Sequence, residues 1–357
     1  MGWIAVVGDG QRWVDPSLSA RRMTGIDRAM RRGTILIEAD APTLATGPAL
    51  IRLTRSGGAQ GMMSLQWVPA RGLVLLVTQG AQVFHATLPF DMPADRLCLS
   101  FAWDLDRATA RLAAEMPQQG RVSYLTVDNP LPVFLSDFWS LTRSKGGVEL
   151  GSGVRFIAVS EAVEPLGPLP TLGAGTLIDA PEGPRAISAL VPGDTVRTLS
   201  GEAVPVLQVV SHSLPAAGSF RPMSLAQHTL GSTAPLIAAP IQRLVITGPD
   251  VADAYGAKGV RLAARNLPRG NARPLSPESA GPLVTYYQLV LPGAEPVMAQ
   301  GLALETLNLG DLWHDRVRAS HSLMAALPRN LLPEHQPSPY PVLDASETQS
   351  LAAARAA

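Results

Sequence analysis

Thr171-Leu172-Gly173-Ala174-Gly175-Thr176-Leu177-Ile178-Asp179-Ala180-Pro181-Glu182-Gly183-Pro184-Arg185-Ala186-Ile187, resumed at Leu190-Val191-Pro192-Gly193-Asp194-Thr195-Val196, is the stretch on which the fold of this chain turns. Brief β-prone runs alternate here with turn chemistry. Glu182-Gly183 and Pro192-Gly193-Asp194 are strong turn formers, because glycine supplies positive φ and proline presets φ before it. Gly175, Gly183 and Gly193 are read as serving backbone geometry, and Asp194 as hydrogen-bonding its own turn. The pattern predicts hairpins, and hence an all-β unit.

The order and spacing of these pieces resemble a bacterial subfamily of Hedgehog/intein (Hint) self-processing domains. There a nucleophile is followed by Gly-Thr, a strand, a Gly-containing turn and a Pro-Gly-Asp turn feeding another strand. The resemblance continues with Arg243-Leu244-Val245-Ile246-Thr247-Gly248-Pro249-Asp250 and Thr285-Tyr286-Tyr287-Gln288-Leu289, spans about Thr171 to Leu309, and takes in Pro341-Val342-Leu343 with Glu347 near the end.

What the resemblance implies chemically is a thiol or hydroxyl at the first residue, which attacks the preceding carbonyl, and a Thr-x-x-His pair that protonates the scissile amide. Here the cysteine position holds Thr171, a weak nucleophile unless a base or a strained peptide activates it. The histidine position aligns to Asp250, ionised at pH 7 unless its pKa is raised, and Thr247 survives alone. Where related proteins carry a strand histidine followed by Asp and His, this chain has Gln288, Pro292 and Ala294. With every such position but Thr247 departed at once, no catalytic residue is expected, and the chain reads as a non-cleaving structural or binding scaffold, a pseudo-enzyme. The alternative is residual autoprocessing, an N–O acyl shift or cleavage at Pro170–Thr171 with Thr171 as nucleophile and Thr247 and Asp250 orienting the amide. Hydrogen-bond reach between Thr171 Oγ1 and those two residues would favour the enzyme; separation favours the scaffold.

Upstream, β-rich runs recur about every 8–12 residues between turn signals, the mark of an antiparallel sandwich. They are Gly33 to Ala39, Leu50 to Thr54, Met62 to Val68, Leu73 to Thr78, Gln82 to Leu88, Leu97 to Trp103, Thr109 to Met116, Val122 to Val127 and Arg155 to Val159. Leu97–Trp103 and Ala108–Glu115 form a hairpin through Asp104-Leu105-Asp106-Arg107. This half is similar to the lectin-like or laminin-G-like sandwiches that precede some Hint domains, which implies, as a second alternative, carbohydrate binding at a surface. The chain therefore divides into an N-terminal segment with a helix (1–32), a sandwich (33–163), a proline-rich linker (164–170), a Hint-like β domain (171–312) and a C-terminal helix and tail (313–357). Helices are expected at Asp15 to Arg32, where Met23, Ile26, Ala29 and Met30 recur near the helical period, and at Pro132 to Ser144. After Pro328 a loosely packed tail is expected, with a helix from Ser346.

The length of 357 residues favours two domains, and 46% hydrophobic against 16% charged residues supports two cores. Lys+Arg and Asp+Glu balance at 29 each, so no net field draws the chain to nucleic acid or an anionic membrane. The lone Cys98 excludes intrachain disulfides and cysteine metal clusters; in an alternating strand it reads as an inert core thiol. No Sec signal opens the chain and no apolar run reaches membrane-spanning length, so a soluble protein is expected, cytoplasmic or exported by a non-Sec route.

No cofactor or metal is expected. His212 and His228 lack metal-ligand spacing. Asp311, His314, Asp315 and His321 read as the solvated face of one helix from Leu312 to Ala326. Asp104 and Asp106 fall short of a calcium ligand set. Trp67, Trp103, Tyr124, Phe138 and Trp139 are core residues before they are a sugar platform. The partner, protein or glycan, is left open.

Overall fold

The computed structural model describes residues 2–18, 29–41, 49–55, 60–91, 96–117, 119–139, 141 and 148–356. They form a mainly β protein of several antiparallel sheets, divided into two compact units, Met1–Gly167 and Pro168–Ala357.

In the first unit a seven-stranded sheet runs in the order Arg121–Asp128, Thr109–Met116, Arg96–Asp104, Arg32–Asp40, Val154–Ser160, Trp3–Gly8 and Gln11–Val14. A five-stranded sheet runs Val148–Leu150, Ile51–Arg55, Gly61–Val68, Gly72–Gln79 and Gln82–Leu88. The two-residue period of a strand sends Leu97, Leu99, Phe101 and Trp103 to one face, where they meet Leu53, Leu65, Leu73 and Leu75 of the other sheet in a single core. Each such side chain, when fully buried, contributes about 1.5–3 kcal/mol. The expected strands and the hairpin are all present, with Thr109 opposite Asp104 and Glu115 opposite Cys98.

The N-terminal region departs from expectation. Trp3–Gly8 and Gln11–Val14 are strands of the larger sheet, Trp3–Gly8 pairing with Val154–Ser160. The helix expected over Asp15 to Arg32 fails at its end: Ala29–Met30 is a strand paired with Val133–Phe134, and Arg32 opens the next strand. Most of its middle lies outside the described residues. The second expected helix, Pro132 to Ser144, starts only at Leu135, because Val133–Phe134 is drawn into that pairing; it is described as far as Trp139, and most of the remainder lies outside the described residues.

The opposite face of the larger sheet is buried yet polar: Thr34, Glu38, Ser100, Arg111, Glu115 and Ser160 are each at most 9% exposed. The start of the proline-rich stretch is bonded to this face. Glu164 N donates to Thr34 Oγ1 (2.9 Å), Arg111 Nη2 to the Glu164 carbonyl (2.6 Å) and Gly167 N to Glu115 Oε2 (2.8 Å). Cys98 belongs to this face, so it is buried as expected but lies between Glu38 and Glu115, and its Sγ contacts Glu38 Oε2. Burial, reinforced by both carboxylates, pushes its thiol well up, the opposite of an activated cysteine.

The second unit holds two six-stranded sheets and a small hairpin, Thr195–Arg197 with Ala203–Pro205. One sheet runs Gln208–Pro215, Leu283–Val290, Leu172–Gly173, Leu236–Ala238, Met223–Leu225, Ala272–Pro274. The other runs Arg185–Ala186, Leu177–Ile178, Val297–Ala299, Leu302–Leu304, Arg243–Thr247, Gly259–Ala263. Leu172, Leu236, Leu244, Leu262, Leu289 and Leu304 share its core. Gly183 and Gly193 have φ of +115° and +94°, as their turns require, whereas Gly175 is not at positive φ and fills no such need. Asp194 Oδ2 accepts from Val191 N (2.8 Å), the expected bond across its own turn, and its other oxygen pairs with Arg185.

The C-terminal tail is more tightly held than expected. Arg261 N donates to Pro341 O and Leu343 N to Arg261 O, so the tail adds a short parallel bridge beside Gly259–Ala263. A ten-residue helix, Ala345–Ala354, follows, started by a capping box between Asp344 and Glu347, and Leu343, Leu351 and Ala352 are buried in the core. Among the described residues no helix is long and apolar enough to cross a membrane.

Candidate functional site

Thr171 stands immediately before the strand Leu172–Gly173, which pairs with Ala238 on one side and with Tyr286 and Tyr287 on the other. Its carbonyl accepts from Ala239 N (2.7 Å), and its side chain is buried. Gln242 closes the turn that begins at Ala239, while Gln288 lies within the strand Leu283–Val290; both are buried. These three side chains meet. Thr171 Oγ1 donates to Gln242 Oε1 and accepts from Gln288 Nε2 (3.0 Å). Gln288 Nε2 also reaches Gln242 Oε1 (3.3 Å) and the Glu305 carbonyl (3.2 Å). Gln242 Nε2 donates to the carbonyls of Arg243 (2.7 Å) and Glu305 (3.2 Å). The threonine hydroxyl is thus held on both its donor and acceptor sides by neutral carboxamides, groups that neither take up nor release a proton at neutral pH.

Thr247 and Asp250 are engaged elsewhere. Thr247 ends the strand Arg243–Thr247 at an exposed position, and Pro249–Tyr255 is a short helix with Pro at its start. Within its first turn Val251 is fully buried while Asp250 faces Arg355, the residue that ends the C-terminal helix as its cap. Arg355 grips the carboxylate bidentately, Nε to Oδ2 and Nη2 to Oδ1, both 2.8 Å, and Nη2 also donates to the Thr247 carbonyl (2.7 Å). Gly248 between them has φ +147°, and a Cβ there would lie 2.5 Å from Asp250 Oδ1 and 2.8 Å from Arg355 Nη2, so the clamp needs a glycine. The Arg355 guanidinium holds the Asp250 carboxyl below the usual carboxylate range, the opposite of the shift an acid catalyst at this position needs. Among the described residues no hydrogen bond joins Thr171 to Thr247 or Asp250. Pro292 and Ala294 lie just past the strand that carries Gln288, Pro292 exposed.

The Hint domain family model matches residues 170–311, a span that begins one residue before Thr171. This chain contains a Hint domain. Among solved structures, the MchDnaB-1 intein is similar at 13% identity, covering 38% of this chain and 98% of the intein with a TM-score of 0.26. A variant of the same intein is similar at 14% identity, with the same coverages and score. No curated protein matches the chain.

The remaining candidates are scattered over both units. In the Hint domain His212 is half-buried opposite Tyr286, and His228 is exposed at φ +70°. The single helix expected from Leu312 to Ala326 is instead two, Gly310–His314 and Arg316–Ser320, broken at Asp315, which caps the second. His314 and His321 therefore do not share a helix face. His314 is exposed beside Glu334, and Asp311 pairs with Arg318. In the sandwich unit, Asp104 Oδ1 accepts from the amides of Asp106 and Arg107 and so serves the hairpin turn, while Asp106 pairs with Arg31. Trp103 and Phe138 are buried in the core, Trp103 donating to the Met30 carbonyl, and Trp67 packs edge-on against Phe90. Tyr124 is half-buried.

Two residues of the second unit escaped sequence reading. Gln242, the acceptor for Thr171, belongs to no motif. His335 is buried, with Nδ1 accepting from Leu309 N (3.1 Å) and Nε2 donating to the Leu291 carbonyl (2.9 Å), a structural and neutral imidazole whose pKa burial lowers. Among the described residues no group of three His, Cys, Asp or Glu could hold a metal ion.

Proposed function

We propose that this Hint domain no longer processes its own chain and serves, with the β-sandwich unit, as a structural or binding scaffold. The observation that carries this reading is the pairing of Thr171 with Gln242 and Gln288. A hydroxyl becomes a nucleophile when a base takes its proton, and a carboxamide oxygen is too weak a base to do so. Expulsion of the amide nitrogen then needs an acid, and the residue aligned with the family histidine, Asp250, is a carboxylate committed to Arg355. The glycan alternative has less behind it, since Trp103 and Phe138 are occupied in filling the sandwich core.

The reading concerns the whole constellation and not the first residue alone. A Thr171→Cys chain, given back the stronger nucleophile, is therefore expected to remain intact during prolonged incubation with dithiothreitol. Fragments divided at the bond that follows Pro170 would show working machinery around a lost nucleophile and would overturn the scaffold reading.

A further inference from the structure

The C-terminal segment, outside the family match, is connected to the Thr171 site through one arginine and one glutamate. Arg261 receives the segment: its backbone pairs with Pro341 and Leu343, and its Nε donates to the Tyr340 carbonyl (2.8 Å). The same guanidinium donates through Nη1 to Glu305 Oε1 (2.6 Å), and Arg243 approaches the other carboxylate oxygen (3.4 Å). The Glu305 carbonyl is in turn the shared acceptor of Gln242 and Gln288, the two amides that hold Thr171. At its far end the segment is fastened by Arg355 on Asp250 and the Thr247 carbonyl, at the end of the strand that follows Gln242.

We propose that residues 340–355 form a clasp that sets the packing of the Thr171 site through Arg261 and Glu305, so that release of the clasp loosens the hold of Gln242 and Gln288 on Thr171. Charge-assisted bonds at fixed fork geometry make such a connection stiff, and its docked and undocked states are discrete. Any binder that drew the C-terminus away would thereby act on the site from outside it. The inference builds on the engagement of Thr171 by the two amides but not on the absence of cleavage. A chain that cut itself would sink the scaffold reading and leave the clasp standing.

Hydrogen exchange of the full chain, read by mass spectrometry, tests this with Arg355→Ala, a partly exposed residue outside the core. Exchange over 344–355 is expected to quicken about tenfold. Exchange over 288–290 should quicken about threefold or more, with Met223–Leu225, in the same sheet, unchanged. In a Glu305→Gln background, the same substitution should still free 344–355 but no longer reach 288–290. The proposal is overturned if 344–355 stays protected, if it loosens while 288–290 does not, or if Met223–Leu225 quickens equally, which would indicate general destabilisation.

Discussion

A Gln288→Leu chain is expected to lose about 2–4 kcal/mol of Hint-domain stability. Leucine nearly matches glutamine in volume, so the cost is not that of a cavity. It comes from acceptors in a buried site: the amide of Gln288, a residue only 3% exposed, serves Thr171 Oγ1, Gln242 Oε1 and the Glu305 carbonyl. A buried acceptor deprived of its donor costs about 1–3 kcal/mol, and the remaining Thr171–Gln242 and Gln242–Glu305 bonds keep the sum below three full penalties. Scanning calorimetry should show the transition of this domain fall by roughly 5–15 °C. A fall of less than about 1 °C would mean that the Gln288 amide contributes nothing to stability and that the description of the site is wrong.

Arg111→Met in the sandwich unit should be still more damaging, by about 3–5 kcal/mol. Arg111 is 3% exposed, and its Nη2 holds the Glu164 carbonyl at 2.6 Å. Burial lowers the guanidinium pKa, while the charges of Glu115 and Glu164 oppose that shift and keep the ion in place. Methionine fills the space and removes the charge, so the Glu164 carbonyl loses its donor and the buried Glu115 carboxylate loses the attraction of a nearby cation. Adding Glu115→Gln should therefore recover part of the loss, because the buried negative charge that Arg111 attracts goes with it. Trp3, Trp13, Trp67, Trp103 and Trp139 all lie in this unit and only Trp313 in the other, so tryptophan emission during urea unfolding reports mainly on the sandwich. An unchanged midpoint would contradict the role given to Arg111.

The fold was legible where its causes are local. The strands of the sandwich follow from two-residue alternation between Gly, Pro and Asp turns, and the Pro192-Gly193-Asp194 turn from the chemistry of its own residues. Errors came where distant partners decide. Trp3–Gly8 becomes a strand by pairing with Val154–Ser160, about 150 residues away in the chain, and Ala29–Met30 is withdrawn from a plausible helix by two residues at Val133–Phe134. A periodicity argument has no access to either. The site divides in the same way. The departures at Thr171 and Gln288 were readable against the family pattern, but Gln242, 71 residues from Thr171, and Arg355, 105 residues from Asp250, are brought in only by folding. Neither a lone glutamine nor an arginine just past a terminal helix carries a signal of its own.

The central claim is that the Pro170–Thr171 bond stays whole. Its most direct test is the intact mass of the purified, unaltered chain after prolonged incubation with and without dithiothreitol. The account predicts one species at 37.6 kDa under both conditions. Fragments meeting at Pro170–Thr171, abolished by Thr171→Ala, would contradict it and make Thr171 a working nucleophile.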